Sequence, residues 1–102
     1  MFNNDVWLST NLGISWSLST LYASWGIRCA HQSVVIDSTI YLMGGEGNTL
    51  YNDVWKSSNL GSTWSICTSF ASWSQRAYFR AVTYSSVIIV IGGYDGYYYR
   101  KF

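Results

Sequence analysis

The stretch NDVWLSTNLGISW, residues 4–16, returns as NDVWKSSNLGSTW at residues 52–64. The interval of 48 residues holds along the chain, because residues 4–51 laid over 52–99 without a gap agree at 21 of 48 positions. All six Trp fall in register. So do Arg28 with Arg76 and the pair Gly44-Gly45 with Gly92-Gly93. A fixed period of this length is typical of repeat proteins, so the chain is predicted to be two copies of one supersecondary unit.

Each unit divides into four short strand-like runs separated by turn signals. In the complete unit the runs are residues 29–36, 39–43, 52–57 and 63–68. Asp37-Ser38 supplies a tight turn between the first two runs, and Asn59 and Gly61 supply another between the last two. Pro is absent and 19% of the residues are aromatic, which favours strands over helices. The unit is therefore predicted to be a four-stranded antiparallel meander in an all-β fold.

The second copy of the unit is divided between the two ends of the chain. Its first two strands are predicted at 77–84 and 87–91, and a third begins near Tyr97. Residues 3–9 and 14–20 have the pattern of third and fourth strands without a first and second before them. The predicted organisation is one complete four-stranded unit at residues 28–68. Residues 1–20 and 76–102 then form the two parts of a split unit, or 76–102 begins the next unit.

This organisation resembles the kelch repeat, as found in galactose-oxidase-like proteins. The resemblance rests on an Arg before the first strand, a second strand ending in Gly-Gly and a Trp in the fourth strand. The complete unit has Arg28, Gly44, Gly45 and Trp64, and the split unit has Arg76, Gly92, Gly93 and Trp16. The resemblance implies that each meander is one blade of a β-propeller.

A second motif resembles the Asp box of sialidase-like propellers, Ser-x-Asp-x-Gly-x-Thr-Trp. It occurs as SSNLGSTW at residues 57–64 and STNLGISW at residues 9–16, with Asn in place of Asp. The matching residues are Ser57, Asn59, Gly61, Thr63 and Trp64, and Ser9, Asn11, Gly13 and Trp16. The Asn is expected to bond backbone two residues on in an Asx-turn, with Gly taking the strained dihedral and Trp covering the hairpin.

Composition excludes several functional classes. Six Lys plus Arg balance five Asp plus Glu, so the clustered cations of a nucleic-acid binder are missing. The 49% apolar content excludes a disordered chain. The longest purely aliphatic stretch, Val87–Ile91, is far shorter than the roughly 18 residues of a membrane helix. No membrane or nucleic-acid partner is therefore expected.

The residues that carry chemistry are few. His31 is the one His of the chain and has Phe79 as its repeat counterpart, so neither a metal site nor a cofactor is predicted. Cys29 and Cys67 fall on the first and fourth strands of one blade, about three strand spacings of 4.8 Å apart. A disulfide needs Cα atoms within about 7 Å, so both thiols are predicted to be free. Free thiols favour a reducing compartment, although the compartment stays open.

Candidate binding residues gather at the loops on one edge of the predicted sheets. Alternate connections of a meander share an edge, so the loops after each Gly-Gly lie beside the connections that enter each first strand. The candidates are Trp25, Arg28, Glu46, Trp73, Arg76, Tyr94 and Asp95. Trp, Tyr and Arg are enriched at interaction hot spots. The competing interpretation, which recurrence in both units favours, is that the Trp wedge between blades with the Arg stacked on them.

The predicted function is non-catalytic protein binding through this loop face, as the kelch resemblance implies. The alternatives are a carbohydrate-binding or carbohydrate-active propeller, which the sialidase-like and galactose-oxidase-like features suggest, and a structural repeat with no ligand. Two units cannot close a propeller, since propellers have typically 4 to 8 blades. The chain is therefore expected to be a fragment of a longer protein, which we favour, or a homo-oligomer that closes by self-association.

Overall fold

A computed structural model describes residues 2–96 of the chain. Eight strands form three antiparallel sheets, and no helix occurs within this range. The strands are β1 Val6–Leu8, β2 Ser17–Thr20, β3 Gln32–Ile36, β4 Thr39–Glu46, β5 Leu50–Ser57, β6 Ser65–Thr68, β7 Arg80–Tyr84 and β8 Val87–Ile91. The prediction of an all-β fold is confirmed.

The central sheet contains four strands in the order β3-β4-β5-β6. Every neighbouring pair is antiparallel and consecutive in sequence, so the predicted four-stranded meander is confirmed. The first strand begins at Gln32 rather than residue 29, because Ala30 has a φ of 57° that interrupts extended backbone. Cys29 nevertheless pairs with Glu46 through an isolated bridge. The second strand runs on through Gly44-Gly45 to Glu46, with a register shift between Met43 and Gly45.

A two-stranded antiparallel sheet lies on either side of the central sheet in sequence. β1 pairs with β2, and β7 pairs with β8. These are the predicted third and fourth strands at the start of the chain and the first and second strands near its end. The two hairpins do not pair with each other within residues 2–96. The third strand predicted near Tyr97 lies outside the described residues.

The backbone repeats with the same interval as the sequence. Positive φ recurs 48 residues apart at non-glycine positions whose side chains differ, such as Ala30 (57°) and Tyr78 (59°). Asp37 (54°) and Ser85 (56°) form a second such pair, each in the turn of a hairpin. Left-handed backbone is unfavourable for residues with a Cβ, so its recurrence shows that the two units share one chain path.

The central sheet is covered on both faces. Successive residues of a strand point to opposite faces, and Leu42 and Met43 of β4 enter different clusters. Leu42 packs with Trp25 and Ala23, and with Val6 of the first hairpin. Met43 packs instead with Phe79 and with other residues of the last hairpin. The sheet therefore lies between the two hairpins, and each face buries its apolar side chains against one of them.

Close backbone approach fixes the last hairpin against the central sheet. A Cβ on Gly44 would lie 2.5 Å from the ring of Phe79, which is 1% exposed. The Gly45 amide donates to the Arg76 carbonyl at 2.9 Å, and the Tyr78 amide donates to the Ala30 carbonyl at 3.0 Å. Glycine is required at position 44 both for this contact and for its φ of 65°.

Candidate functional site

Arg28 lies at the centre of a buried polar cluster, with 3% of its surface exposed. Its guanidinium donates to both carboxylate oxygens of Asp53, at 2.7 and 3.0 Å, and to the Gly44 carbonyl at 2.9 Å. It also donates to the Trp25 carbonyl. The guanidinium carbon lies 4.0 Å above the Tyr51 ring and 6.0 Å from the Trp25 ring. The expected cation–π contact is therefore made chiefly with Tyr51, and Arg28 joins the segment before β3 to β4 and β5.

Asp53 is held ionised by this cluster. Burial acts to raise its pKa, but hydrogen bonds from Arg28 and from the Trp55 indole, together with the charge of Arg28, outweigh burial and lower it. A lowered pKa in a cleft is one sign of a catalytic group. Here the hydrogen bonds from Arg28 and Trp55 and the charge of Arg28 account for the lowered pKa of Asp53.

Trp25 occupies the space between the first hairpin and the central sheet and is 5% exposed. Its ring makes an edge contact with Trp64 at 5.9 Å and a tilted contact with His31 at 5.6 Å. Burial, and then the charge of Arg28, lower the pKa of His31, so this imidazole is neutral at pH 7. Trp25 and Arg28 were candidates for binding at the loop face, and both are buried, Trp25 to 5% and Arg28 to 3% exposure.

The two Asp-box-like turns have the same hydrogen bonds. In the complete unit, Ser57 Oγ accepts from the Gly61 amide at 2.9 Å and donates to Asn59 Oδ1 at 2.9 Å. Asn59 Oδ1 also accepts from the Thr63 amide at 3.0 Å. The expected Asx-turn is thus wrong in its span, because Asn59 caps an amide four residues on rather than two. The equivalent bonds join Ser9, Asn11, Gly13 and Ser15.

Each turn is closed by its Trp. The Trp64 indole donates to the Gly61 carbonyl and the Trp16 indole to the Gly13 carbonyl, both at 3.0 Å. Two consecutive residues of the turn have a positive φ, 63° at Leu60 and 85° at Gly61. The left-handed backbone is therefore not confined to the Gly. These contacts stabilise the hairpin, which leaves the motif a structural role in this chain.

Four segments meet at one end of the sheets, and we call this end the loop face. The segments are residues 26–31, 46–50, 74–77 and 92–96. Cys29 and Glu46 exchange backbone hydrogen bonds of 2.8 and 2.9 Å, and Ala77 and Tyr94 exchange another such pair. The Arg76 amide donates to the Tyr51 carbonyl at 3.0 Å. The loops predicted to share an edge therefore lie together.

The predicted candidates occupy different parts of the loop face. Glu46 is half-buried, and its carboxylate makes no ion pair within residues 2–96. Arg76 donates to the Gly92 carbonyl at 3.0 Å and to Ser74, with its guanidinium carbon 6.0 Å from the Trp73 ring. Trp73 packs on Phe79 at 5.7 Å. Tyr94 and Asp95 follow the second Gly-Gly and are half-buried.

An open cleft of about 410 Å³ lies beside Glu46 on the loop face. Its lining residues are Phe2, Gly26, Ile27, Gly47, Asn48 and Tyr51. Ile27 is 55% exposed at its mouth. Tyr51 also lines a second cleft of about 230 Å³ with Phe70 and Gln75. The first cleft combines apolar walls, an amide side chain and a nearby carboxylate, which suits recognition rather than bond chemistry.

Tyr51 and the Arg28–Asp53 ion pair are absent from the sequence predictions. Tyr51 has Asn3 as one counterpart and Tyr99 as the other, so the recurrence of Tyr at this position was a signal in the sequence that the predictions did not use. Asp53 lies 25 residues from Arg28, and nothing local connects them. The recurrence of Asp in both NDVW segments, as Asp5 and Asp53, is the signal in the sequence that could have pointed to this position.

The remaining chemical groups are few in the described range. Cys29 and Cys67 are free thiols, as predicted. Residues 2–96 contain no group of three His, Cys, Asp or Glu side chains arranged to hold a metal ion. They also contain no helix that is long and apolar enough to cross a membrane.

Comparison with known proteins adds no assignment. A scan against protein-family models finds no match for the chain, and a search of curated proteins finds none either. The function is therefore inferred from the geometry of the loop face.

Proposed function

We propose that the chain is a β-propeller-type repeat module that binds a protein partner through its loop face without catalysing a reaction. The observation that carries this proposal is the cleft beside Glu46, which is formed by two loops and the start of β5. Loops held by a rigid sheet scaffold are a common location for recognition. The blade interpretation is supported by the four-stranded meander with a hairpin stacked on each face.

The chemistry of the cleft indicates the kind of segment that it accepts. Phe2 and Ile27 offer apolar walls, and Tyr51 contributes an aromatic ring at the base. Asn48 can pair with a peptide group, and Glu46 directly precedes the lining residue Gly47 in the chain. A short segment with one aliphatic or aromatic anchor and a neighbouring Lys or Arg fits these features.

A non-catalytic role is supported by the use of the polar groups. Arg28, Asp53 and His31 are the charged or shifted groups nearest the sheet centre, and one ion pair with its surrounding burial explains all three. Glu46 is the carboxylate at the cleft. A single carboxylate does not supply the acid and base pair of a glycoside hydrolase.

The proposal is tested by selecting binders from a displayed library of random heptapeptides. We expect selected peptides to combine an apolar anchor with a basic residue, and Ile27→Asp or Glu46→Lys to weaken their binding at least tenfold. Ser38→Ala, in an exposed turn outside the loop face, is the matched control and leaves binding unchanged. Circular dichroism establishes that each variant is folded.

Three outcomes would refute this function. They are a selection that yields no binder, binders that are insensitive to both substitutions, and specific binding to an immobilised glycan panel that competes with the peptides. The last outcome would support a carbohydrate-binding propeller instead.

A further inference from the structure

Among the unpaired strand edges in the described part of the chain, those of β8 and β1 belong to counterparts of two strands that pair elsewhere in it. β8 has β7 on one side and no strand on the other within residues 2–96, and β1 has only β2. By the 48-residue interval, β8 corresponds to β4 and β1 to β5. In the central sheet β4 and β5 are hydrogen-bonded neighbours. The open edges are thus the two halves of a pairing that the central sheet displays complete.

We propose that a second copy of this chain completes the split blade, with β8 of one copy pairing antiparallel to β1 of the next. The central sheet supplies the register, because Tyr41 pairs with Lys56 and Leu42 with Trp55. Adding 48 to the β4 residues gives Ile89 and Val90 of β8, and subtracting 48 from the β5 residues gives Leu8 and Trp7 of β1. The expected pairs are therefore Ile89 with Leu8 and Val90 with Trp7 of the adjacent copy. Self-association through these edges does not involve the residues that line the cleft beside Gly47.

The charges of the two open edges are complementary. Arg76 donates to the Gly92 carbonyl, and its counterpart Arg28 donates to the Gly44 carbonyl in the same way. Unlike Arg28, however, Arg76 has no carboxylate partner within residues 2–96. Asp5 accepts from the Trp7 indole as Asp53 accepts from that of Trp55, but Asp5 is exposed and has no cation partner in the same range. The last hairpin thus has the counterpart of Arg28, and the first hairpin has the counterpart of Asp53.

The sequence identifies Asp5 as a carboxylate that a second copy can offer to Arg76. Lys101 stands where the complete unit has Asp53, so the repeat offers Arg76 a like charge at that position. Asp5 of a second copy offers the opposite charge. Residues 4–7 also reproduce the NDVW of 52–55, whereas the corresponding residues of the second repeat, 100–102, are Arg, Lys and Phe.

The apolar surfaces match in the same arrangement. Val82, Ile89 and Ile91 are 45%, 42% and 53% exposed on the outer face of the last hairpin. Their counterparts in the central sheet, Val34, Tyr41 and Met43, pack against the last hairpin at Phe79, Ala81, Ile88 and Val90. The counterparts of these four residues are His31, Ser33, Ile40 and Leu42.

Those four counterparts line an open cleft of about 320 Å³ together with Trp25 and the first hairpin. The outer face of the last hairpin from a second copy fits into this cleft. The space beside Gly92 is consistent with this arrangement. Gly44 is packed against Phe79, whereas nothing lies within 4 Å of where a Cβ of its counterpart Gly92 would be. In the association, His31 of the second copy, the counterpart of Phe79, would fill that space.

Such an association is head to tail, and it closes into a ring when the rotation per chain permits. Propellers have typically 4 to 8 blades, so copies that each contribute the two units of residues 1–102 give rings of two, three or four copies. Closure also pairs the edges of β1 and β8, which otherwise favour uncontrolled association.

The first test is the solution mass of the purified full chain by sedimentation equilibrium. We expect a discrete mass of two, three or four chains. Asp5→Arg or Arg76→Asp is expected to weaken association at least tenfold by placing like charges together, and the double variant to restore it. Lys56→Glu, an exposed charge reversal in the central sheet, is the matched control and leaves association unchanged. A folded single chain at all concentrations would overturn the proposal, and so would association that ignores both reversals.

The second test does not depend on charge. Leu8→Cys and Ile89→Cys in one chain are treated with a short bis-maleimide, and the linked peptides are identified by mass spectrometry. We expect links between position 8 of one chain and position 89 of another, which residues opposite in a sheet allow. Leu8→Cys with Val87→Cys moves the pair out of register and is expected to link poorly. Equal linking of both pairs, or no intermolecular link, would overturn the strand pairing.

Discussion

Arg28 shows what a single residue contributes to this fold. Its side chain is 2% exposed and reaches a carboxylate, two carbonyls and the Tyr51 ring. A buried cation is costly unless a counter-ion lies beside it, so Asp53 is needed as much as Arg28 itself, whose Nε has no hydrogen-bond partner within residues 2–96.

Asp53→Asn is predicted to destabilise the fold by about 2–4 kcal/mol, because it leaves the buried Arg28 charge without a counter-ion. Urea denaturation at pH 7 measures this free energy of unfolding. Asp37→Asn is the control, since Asp37 lies in an exposed turn and Asn tolerates its φ of 54°. A loss at Asp53 no larger than at Asp37 would contradict the structural role of the ion pair.

The same substitution has a defined pH dependence. The pKa of Asp53 in the folded state lies below its ordinary value of 3.8. A carboxylate with a lowered pKa contributes its full stability above the unfolded value and loses it as the pH falls through the folded value. The difference between wild type and Asp53→Asn is therefore constant from pH 5 to 7 and shrinks below pH 3.8.

At the scale of elements, two turns with the same internal hydrogen bonds differ in their surroundings. Ser57 is 1% exposed, and Gly61 is buried because Val6 of the first hairpin packs against it. A Cβ on Gly61 would lie 2.7 Å from Val6. Gly13 is exposed in the equivalent turn. Local sequence sets the turn, and the neighbouring hairpin sets its burial.

Ser57→Ala is predicted to cost more than Ser9→Ala. Removing Ser57 Oγ leaves the buried Gly61 amide without an acceptor, at about 1–3 kcal/mol, whereas water replaces Ser9 Oγ at the exposed Gly13 amide. Urea denaturation of both variants, at a concentration where each is a single chain, gives the comparison. Equal losses would show that burial of the turn is not what makes Ser57 important.

At the scale of the whole molecule, the last hairpin depends on the central sheet. An isolated two-stranded hairpin is marginally stable in water, so β7 and β8 require the cluster around Met43 and Phe79. This dependence resembles that of repeat proteins, in which each unit is stabilised by its neighbours.

Phe79→Ala is predicted to cost about 3–5 kcal/mol and to release the last hairpin from the sheet, because Phe79 is 1% exposed and fills the space above Gly44. Amide hydrogen exchange reports the release as faster exchange confined to β7 and β8. Tyr84→Ala is the control in the same hairpin, since Tyr84 is 78% exposed. Uniformly faster exchange in all three sheets would contradict independent docking of this hairpin.

The order and pairing of the strands were predictable from the sequence because turns are chosen locally. Asp37-Ser38 and Asn59-Leu60-Gly61 specify where the chain reverses, and a 48-residue repeat applies the same path twice. Alternation of side chains then assigns Val54 and Trp55 to opposite faces, as the two apolar clusters show.

The candidate site was predictable only as a location. The sequence alone placed the loops after each Gly-Gly beside the connections that enter the first strands, since this follows from strand order. Only the tertiary structure decided that Trp64 is half-buried whereas its counterpart Trp16 is 59% exposed, and that Arg28 pairs with Asp53 over the Tyr51 ring. Backbone path depends on neighbours in sequence, but burial and charge pairing depend on what packs across from a residue, and a repeat cannot encode that when its two copies have different neighbours in space.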